Sequence, residues 1–173
     1  MSDHQELFDH LSAPFPTEVI SWRVGATNKG KTSGMALAYI DARDLMDRLD
    51  AVVGFECWQN RYTHTATKTV CEIGILISGN WVWKADGAGD TDYEADKGAL
   101  SDAFKRAGVR WGIARYLYGM KTPWVSIEQK GRSAVITSEG VKSLNAVHEL
   151  MAKNIGFKGN KRKSSALAKR EEL

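Results

Sequence analysis

The order of apolar and polar positions separates strands from helices along this chain. Cys71, Ile73, Ile75 and Ile77 alternate with other residues onto one face, the pattern of a half-buried antiparallel strand. Three consecutive strands are predicted at 55–64, 69–78 and 81–86, the last two joined by a tight turn at Gly79-Asn80. Two earlier strands, 18–24 and 35–40, flank a loop at 25–34 that is rich in Gly, Thr, Asn and Lys. Helical spacing of Leu7, Phe8 and Leu11 predicts a short helix over 3–12, stopped by Pro14.

Asp41 is placed to cap a helix over 42–53, which Gly54 closes. A long helix is expected from Thr91 or Asp92 to Arg110, with Leu100, Ala103, Phe104, Ala107 and Trp111 as its apolar stripe. Gly108 and Gly112 should loosen or bend it before Ile113 to Leu117, and Thr137 or Ser138 should cap a last helix over 141–151. The fold class expected is α+β: a β-hairpin and a three-stranded antiparallel meander packed with a long basic helix. One domain is expected over 1–152, followed by a basic, disordered tail over 153–173.

Composition narrows the setting. At 173 residues, 43% hydrophobic and 26% charged, the chain has the make-up of one soluble globular domain. No apolar run approaches the roughly 18 residues a membrane span needs, and the start lacks the pattern of a secretion signal. Cys57 and Cys71 both fall in expected strands, where buried reduced thiols are the natural reading, so the cytoplasm of a bacterium or a phage-infected host is expected.

The net charge of +3 is unevenly spread. Lys153, Lys158, Lys161, Arg162, Lys163, Lys169 and Arg170 make the tail basic and leave the body slightly acidic. Within the body, Lys97, Lys105, Arg106, Arg110, Arg115, Lys121, Lys130 and Arg132 face only Asp102 and Glu128. Clustered cations on a nearly neutral protein are the footprint of a nucleic-acid binder, and a solvated helix face is the competing explanation.

Gly25-Ala26-Thr27-Asn28-Lys29-Gly30-Lys31-Thr32 matches the phosphate-loop pattern G-x-x-x-x-G-K-[ST]. Such a loop should run from a buried parallel strand into a helix. Here an alternating strand precedes it, Gly34 weakens any helix after it, and the most apolar strand ends in Ser78-Gly79 without a Mg²⁺-binding carboxylate. A basic hairpin loop, with Lys29 and Lys31 touching a phosphate backbone, is the expectation, and a nucleotide hydrolase is the alternative. The acidic run Asp86, Asp90, Asp92, Glu94, Asp96 fails the calcium-loop pattern and suits a helix start instead, and the four histidines show no metal spacing.

Two separated blocks resemble the Rad-fifty-two family of single-strand annealing proteins. The first is Ala38-Tyr39-Ile40-Asp41, a helix, then Gly54-Phe55 and Trp58. The second runs from Glu94 through Lys97, Asp102, Ala103, Phe104, Lys105, Arg106 and Ala107 to Gly108, with Trp111-Gly112, Ala114-Arg115 and Tyr116-Leu117-Tyr118 after it. Pro14-Phe15-Pro16 with Trp22-Arg23 is similar to the short phage and bacterial branch, and the likeness covers about residues 14–119. The resemblance implies subunits assembled in a ring with single-stranded DNA in a basic groove. By position the groove residues are Arg23, Tyr39, Lys97, Lys105, Arg106 and Arg110.

Annealing makes no covalent bond, so no catalytic residue, cofactor or metal is called for. Lys and Arg hold phosphates, and bases left exposed sample pairing with a second strand. Tyr39 could stack on a base, although an aromatic in a strand is more often core. Trp81 with Trp83, and Trp58 with Tyr62, alternate onto sheet faces, where packing under a helix or against a neighbouring subunit is the first expectation. The partners expected are single-stranded DNA, further copies of the chain, and a single-strand-binding protein or exonuclease acting beside it. A double-stranded RNA-binding module remains the other alternative, since it shares the order helix, three strands, helix.

Overall fold

The computed structural model describes residues 3–89 and 96–168, side chains at 96–97 and 157–168 excepted. The elements in order are α1 (Asp3–Leu11), β1 (Ser21–Thr27), β2 (Ser33–Tyr39), α2 (Ala42–Val53), β3 (Trp58–His64), β4 (Lys68–Ile77), β5 (Asn80–Gly89), α3 (Asp96–Arg110), β6 (Trp124–Lys130), β7 (Ser133–Ile136) and α4 (Ser138–Ala168). The class is α+β with antiparallel sheets, as the alternation pattern predicts. The chain divides into two compact units interleaved in sequence: Met1–Ala13 with Ile40–Arg115, and Pro14–Tyr39 with Tyr116–Leu173.

The first unit holds the meander β3-β4-β5 and helices α1, α2 and α3. Cys71, Ile73 and Ile75 project from the central strand and are completely buried, with α3 packed across β4 and β5. The β4–β5 hairpin turns through Ser78 (φ 51°) and Gly79 (φ 79°), two successive positive φ values that match the twist of the flanking strands. In α2, the Asp44 carboxylate accepts the Asp41 N–H at 2.7 Å, one half of a reciprocal capping box, and Gly54 (φ 87°) ends the helix. Arg48 of α2 donates to the carbonyls of His10, Leu11 and Ala13, closing the C-terminus of α1.

Two expectations about α3 are corrected. Leu100 is 41% exposed, and the buried stripe is Ala99, Ala103, Phe104, Ala107 and Trp111. Small residues four apart let the helix lie close to the sheet, which a stripe counted by hydrophobicity alone does not register. Gly108 does not loosen the helix, which continues to Arg110; it lies close against α2, where an added Cβ would sit 2.2 Å from Leu45 Cδ1. Gly112 (φ 94°) then provides the break. The predicted start at Thr91 or Asp92 lies outside the described residues.

The second unit is built on the four-stranded sheet β1-β2-β6-β7 with α4. Its core contains Ala36, Val125 and Leu144, with Trp22 and Ile136 against them. The hairpin β6–β7 has no counterpart in the predicted elements, although Val125 and Ile127 alternate inward and Gly131 (φ 64°) makes the turn. The predicted loop 25–34 is shorter, since β1 continues to Thr27 and β2 begins at Ser33. The Thr137 hydroxyl accepts the Gly140 N–H at 3.1 Å as the start of α4, which runs on to Ala168 rather than ending at 151. No proline interrupts that stretch.

His148 is fully buried in this unit. Its Nδ1 lies 2.8 Å from Thr17 Oγ1 and its Nε2 2.9 Å from the Tyr116 hydroxyl, which also accepts the Phe15 N–H at 3.1 Å. One buried side chain thus joins the segment before β1, the turn at Tyr116 and α4.

Candidate nucleic-acid interface

The predicted site residues divide between the units. Arg23, Lys29, Lys31 and Tyr39 belong to the second, and Lys97, Lys105, Arg106 and Arg110 to the first. Arg23 is exposed on β1 opposite Leu37, and Tyr39 is half-buried at the end of β2. Lys29 and Lys31 are exposed at the tip of the β1–β2 hairpin. Lys97 lies in the first turn of α3, and its side chain is outside the described residues.

The phosphate-loop pattern folds as a hairpin turn. The Asn28 side-chain oxygen accepts the N–H groups of Thr32 (2.9 Å) and Ser33 (3.1 Å), and its amide donates to the Thr32 hydroxyl at 2.9 Å. Amides and a hydroxyl that would cradle phosphates and Mg²⁺ are therefore committed to Asn28. The strands on either side pair antiparallel with each other, and no helix follows the loop.

Along α3 the cations differ in their neighbours. Lys105 lies 3.6 Å from Asp102 on its own helix. Arg106 reaches the sheet, where its guanidinium contacts the Asp86 carboxylate of β5 at 3.2 Å through both Nε and Nη2. One turn on, Arg110 is exposed, and its carbonyl receives two cationic side chains: Lys84 of β5 at 3.3 Å and Arg115 at 2.9 Å. Arg115 also donates to the Val109 carbonyl at 2.8 Å. The Lys84 ammonium rests 4.2 Å from the centroid of the Trp111 ring, and the Trp111 indole N–H is anchored on the Ile73 carbonyl at 3.0 Å. Burial, then the nearby Arg115 and Arg110 charges, push the Lys84 ammonium below its ordinary pKa.

The aromatic residues separate by sheet face. Trp58 packs toward Phe104 of α3, ring centroids 6.0 Å apart, and Tyr62 stands opposite buried Cys71. Burial pushes the Tyr62 hydroxyl up to about 12 and the Cys71 thiol up to about 11, so both are neutral packing groups. Cys57 is partly exposed and precedes β3 rather than lying within it. Trp81 and Trp83 lie on the opposite face, 6.2 Å apart, with the Arg61 guanidinium 4.2 Å over Trp83 and paired with Glu72 at 2.6 Å. Lys84 and Arg115 are the members of the basic cluster that sequence reasoning left out of the site. The only signal for Lys84 was its position in an alternating strand, which sets it on the same face as Asp86.

One unit carries a helix with a row of cations laid on an antiparallel meander, and the other carries an exposed basic hairpin, which together define an α+β protein with cationic surfaces. The chain belongs to the Rad52/22 family of double-strand break repair proteins, whose family model matches residues 3–75 and 72–135. It is 33% identical over 141 residues to the single-stranded DNA-binding protein DdrA of Deinococcus deserti, an alignment covering 80% of this chain and 68% of that one. It is 34% identical over 134 residues to the protein of the same name from Deinococcus radiodurans, covering 76% of this chain and 62% of the relative.

Proposed function

We propose that this protein binds single-stranded DNA and anneals complementary strands during double-strand break repair, without nucleotide hydrolysis. The observation that carries this reading is the alignment with two proteins named for single-stranded DNA binding, over most of the chain. Family membership supplies the repair context. The closed Asn28 turn removes the main argument for a nucleotide hydrolase. The four-stranded sheet goes beyond the helix-strands-helix order on which the duplex RNA alternative rests.

In this account Lys105, Arg106 and Arg110 of α3 hold successive phosphates, with Lys97 extending the track. Arg23, Lys29 and Lys31 provide phosphate contacts from the β1–β2 hairpin, and Tyr39 provides an aromatic surface near Arg23, at the end of the hairpin away from its tip. Phosphate contacts release counterions, so binding weakens steeply as salt rises. Bases gripped only through their backbone stay free to pair, and stacking in the product duplex drives annealing. No bond is made or broken, so no enzymatic step is required. Copies of the chain joined in a ring would repeat the track along the strand, and a single-strand-binding protein or exonuclease would supply or hand over the substrate. The test is strand annealing between complementary oligonucleotides with and without ATP, alongside the mass of the assembled protein.

A further inference from the structure

The cations of α3 are not equivalent. Lys105 and Arg106 each have a carboxylate beside them, Asp102 and Asp86. Lys84 and Arg115 converge on the last carbonyls of the helix, those of Val109 and Arg110, the Arg110 charge is near enough to act on Lys84, and no ion pair joins any of the three to a carboxylate of the described residues. A helix C-terminus contributes roughly half a negative charge, which explains one of the three cations there and leaves two over-supplied. The arrangement is also held in advance. Arg115 is fixed by the Val109 and Arg110 carbonyls, and Lys84 is fixed by the Arg110 carbonyl and the Trp111 ring. Like charges gathered and pre-ordered in this way are unfavourable for the free protein and favourable once an anion joins them.

We propose that Lys84, Arg110 and Arg115 form a phosphate-holding cluster for single-stranded DNA at the C-terminal end of α3, one turn beyond Lys105 and Arg106. This rests on the single-strand-binding reading above and adds two residues to it. Lys84 acts from the sheet and Arg115 from beyond the helix, so the grip is built by tertiary structure and not by one helix face. Burial first, and then the Arg115 and Arg110 charges, lower the Lys84 pKa, and a bound phosphate would offset the part due to those charges.

The test compares binding of a fluorescent oligo-dT across a salt series for wild type, Lys84→Met with Arg110→Gln, and Arg61→Gln. Methionine keeps an apolar stem over Trp111 while removing the charge. Arg61→Gln removes one charge from the other sheet face as a control. The double variant should bind about 10-fold more weakly, with a log–log salt slope shallower by about 2, while Arg61→Gln stays within about 2-fold of wild type. Thermal stability should be unchanged or slightly raised, because a repelling charge is gone; a purely structural Lys84 predicts a drop instead. Should the double variant not fold, Arg115→Gln at its exposed position carries the test, with a slope shallower by about 1. A folded variant that binds with wild-type affinity and slope overturns the cluster and the Arg110 contact, while single-strand binding itself stands. A wild type that does not bind oligo-dT overturns the cluster together with the functional reading.

Discussion

Arg106 of α3 and Asp86 of β5 are joined by two contacts of 3.2 Å to one carboxylate oxygen. The pair ties helix to sheet, and it sets Arg106 in competition between a carboxylate and a phosphate. Asp86 also accepts the Gly87 N–H at 2.8 Å, a contact that asparagine can retain through its side-chain oxygen.

Asp86→Asn should therefore bind single-stranded DNA more tightly than wild type, by a few-fold at low salt, with a salt slope steeper by about 1. Because the pair is solvent-exposed, folding stability should fall by only about 0–1 kcal/mol. Anisotropy titrations and thermal melts check the two halves.

Gly108→Ala should destabilise the protein, although alanine is the better helix former. Its Cβ would meet Leu45 Cδ1 at 2.2 Å, and overpacking of this kind costs about 1–3 kcal/mol against a propensity gain of about 1 kcal/mol. The double variant with Leu45→Ala should be less destabilised than the sum of the single changes, a coupling that a double-mutant cycle measures.

His148 makes stability depend on pH. Burial lowers its pKa from the ordinary 6.5, with Glu149 acting weakly the other way. Below 6.5 the unfolded chain takes up a proton that the folded chain resists, so this contribution is complete above that pH and is lost as the pH falls. The thermal midpoint should decline from about pH 7.5 to 5 and decline less in His148→Gln, which keeps a donor and an acceptor but does not titrate.

Asn28→Ala should loosen the β1–β2 turn, at a cost of about 0.5–2 kcal/mol for the side-chain hydrogen bonds lost. Millimolar ATP with Mg²⁺ should not shift the melting of the wild type. A stabilising shift that Lys31→Ala removes would restore the phosphate-loop reading.

Much of this fold was legible where local chemistry and burial agree. Asp41 and Gly54 bracket α2 as expected, and the alternation through Cys71, Ile73 and Ile75 marks the core strand. The β6–β7 hairpin was missed because β6 turns only Val125 and Ile127 inward, too few for a periodic signal in a charged stretch. Leu100 was misplaced because the alanines that face the sheet carry little hydrophobic weight. The charge on one helix was legible, but the partners of that charge were not. Asp86 and Lys84 approach Arg106 and Arg110 across 20 and 26 residues of chain, which no local spacing reports.

The central claim is that cations of α3 hold the backbone of single-stranded DNA. The most direct measurement is binding of a single-stranded oligonucleotide by wild type and by Lys105→Ala with Arg106→Ala, across about 50 to 200 mM salt. The account predicts wild-type affinity that falls steeply over this range, and a double variant that is folded yet no longer binds or anneals. Salt-indifferent binding by the wild type, or normal annealing by the double variant, would contradict it.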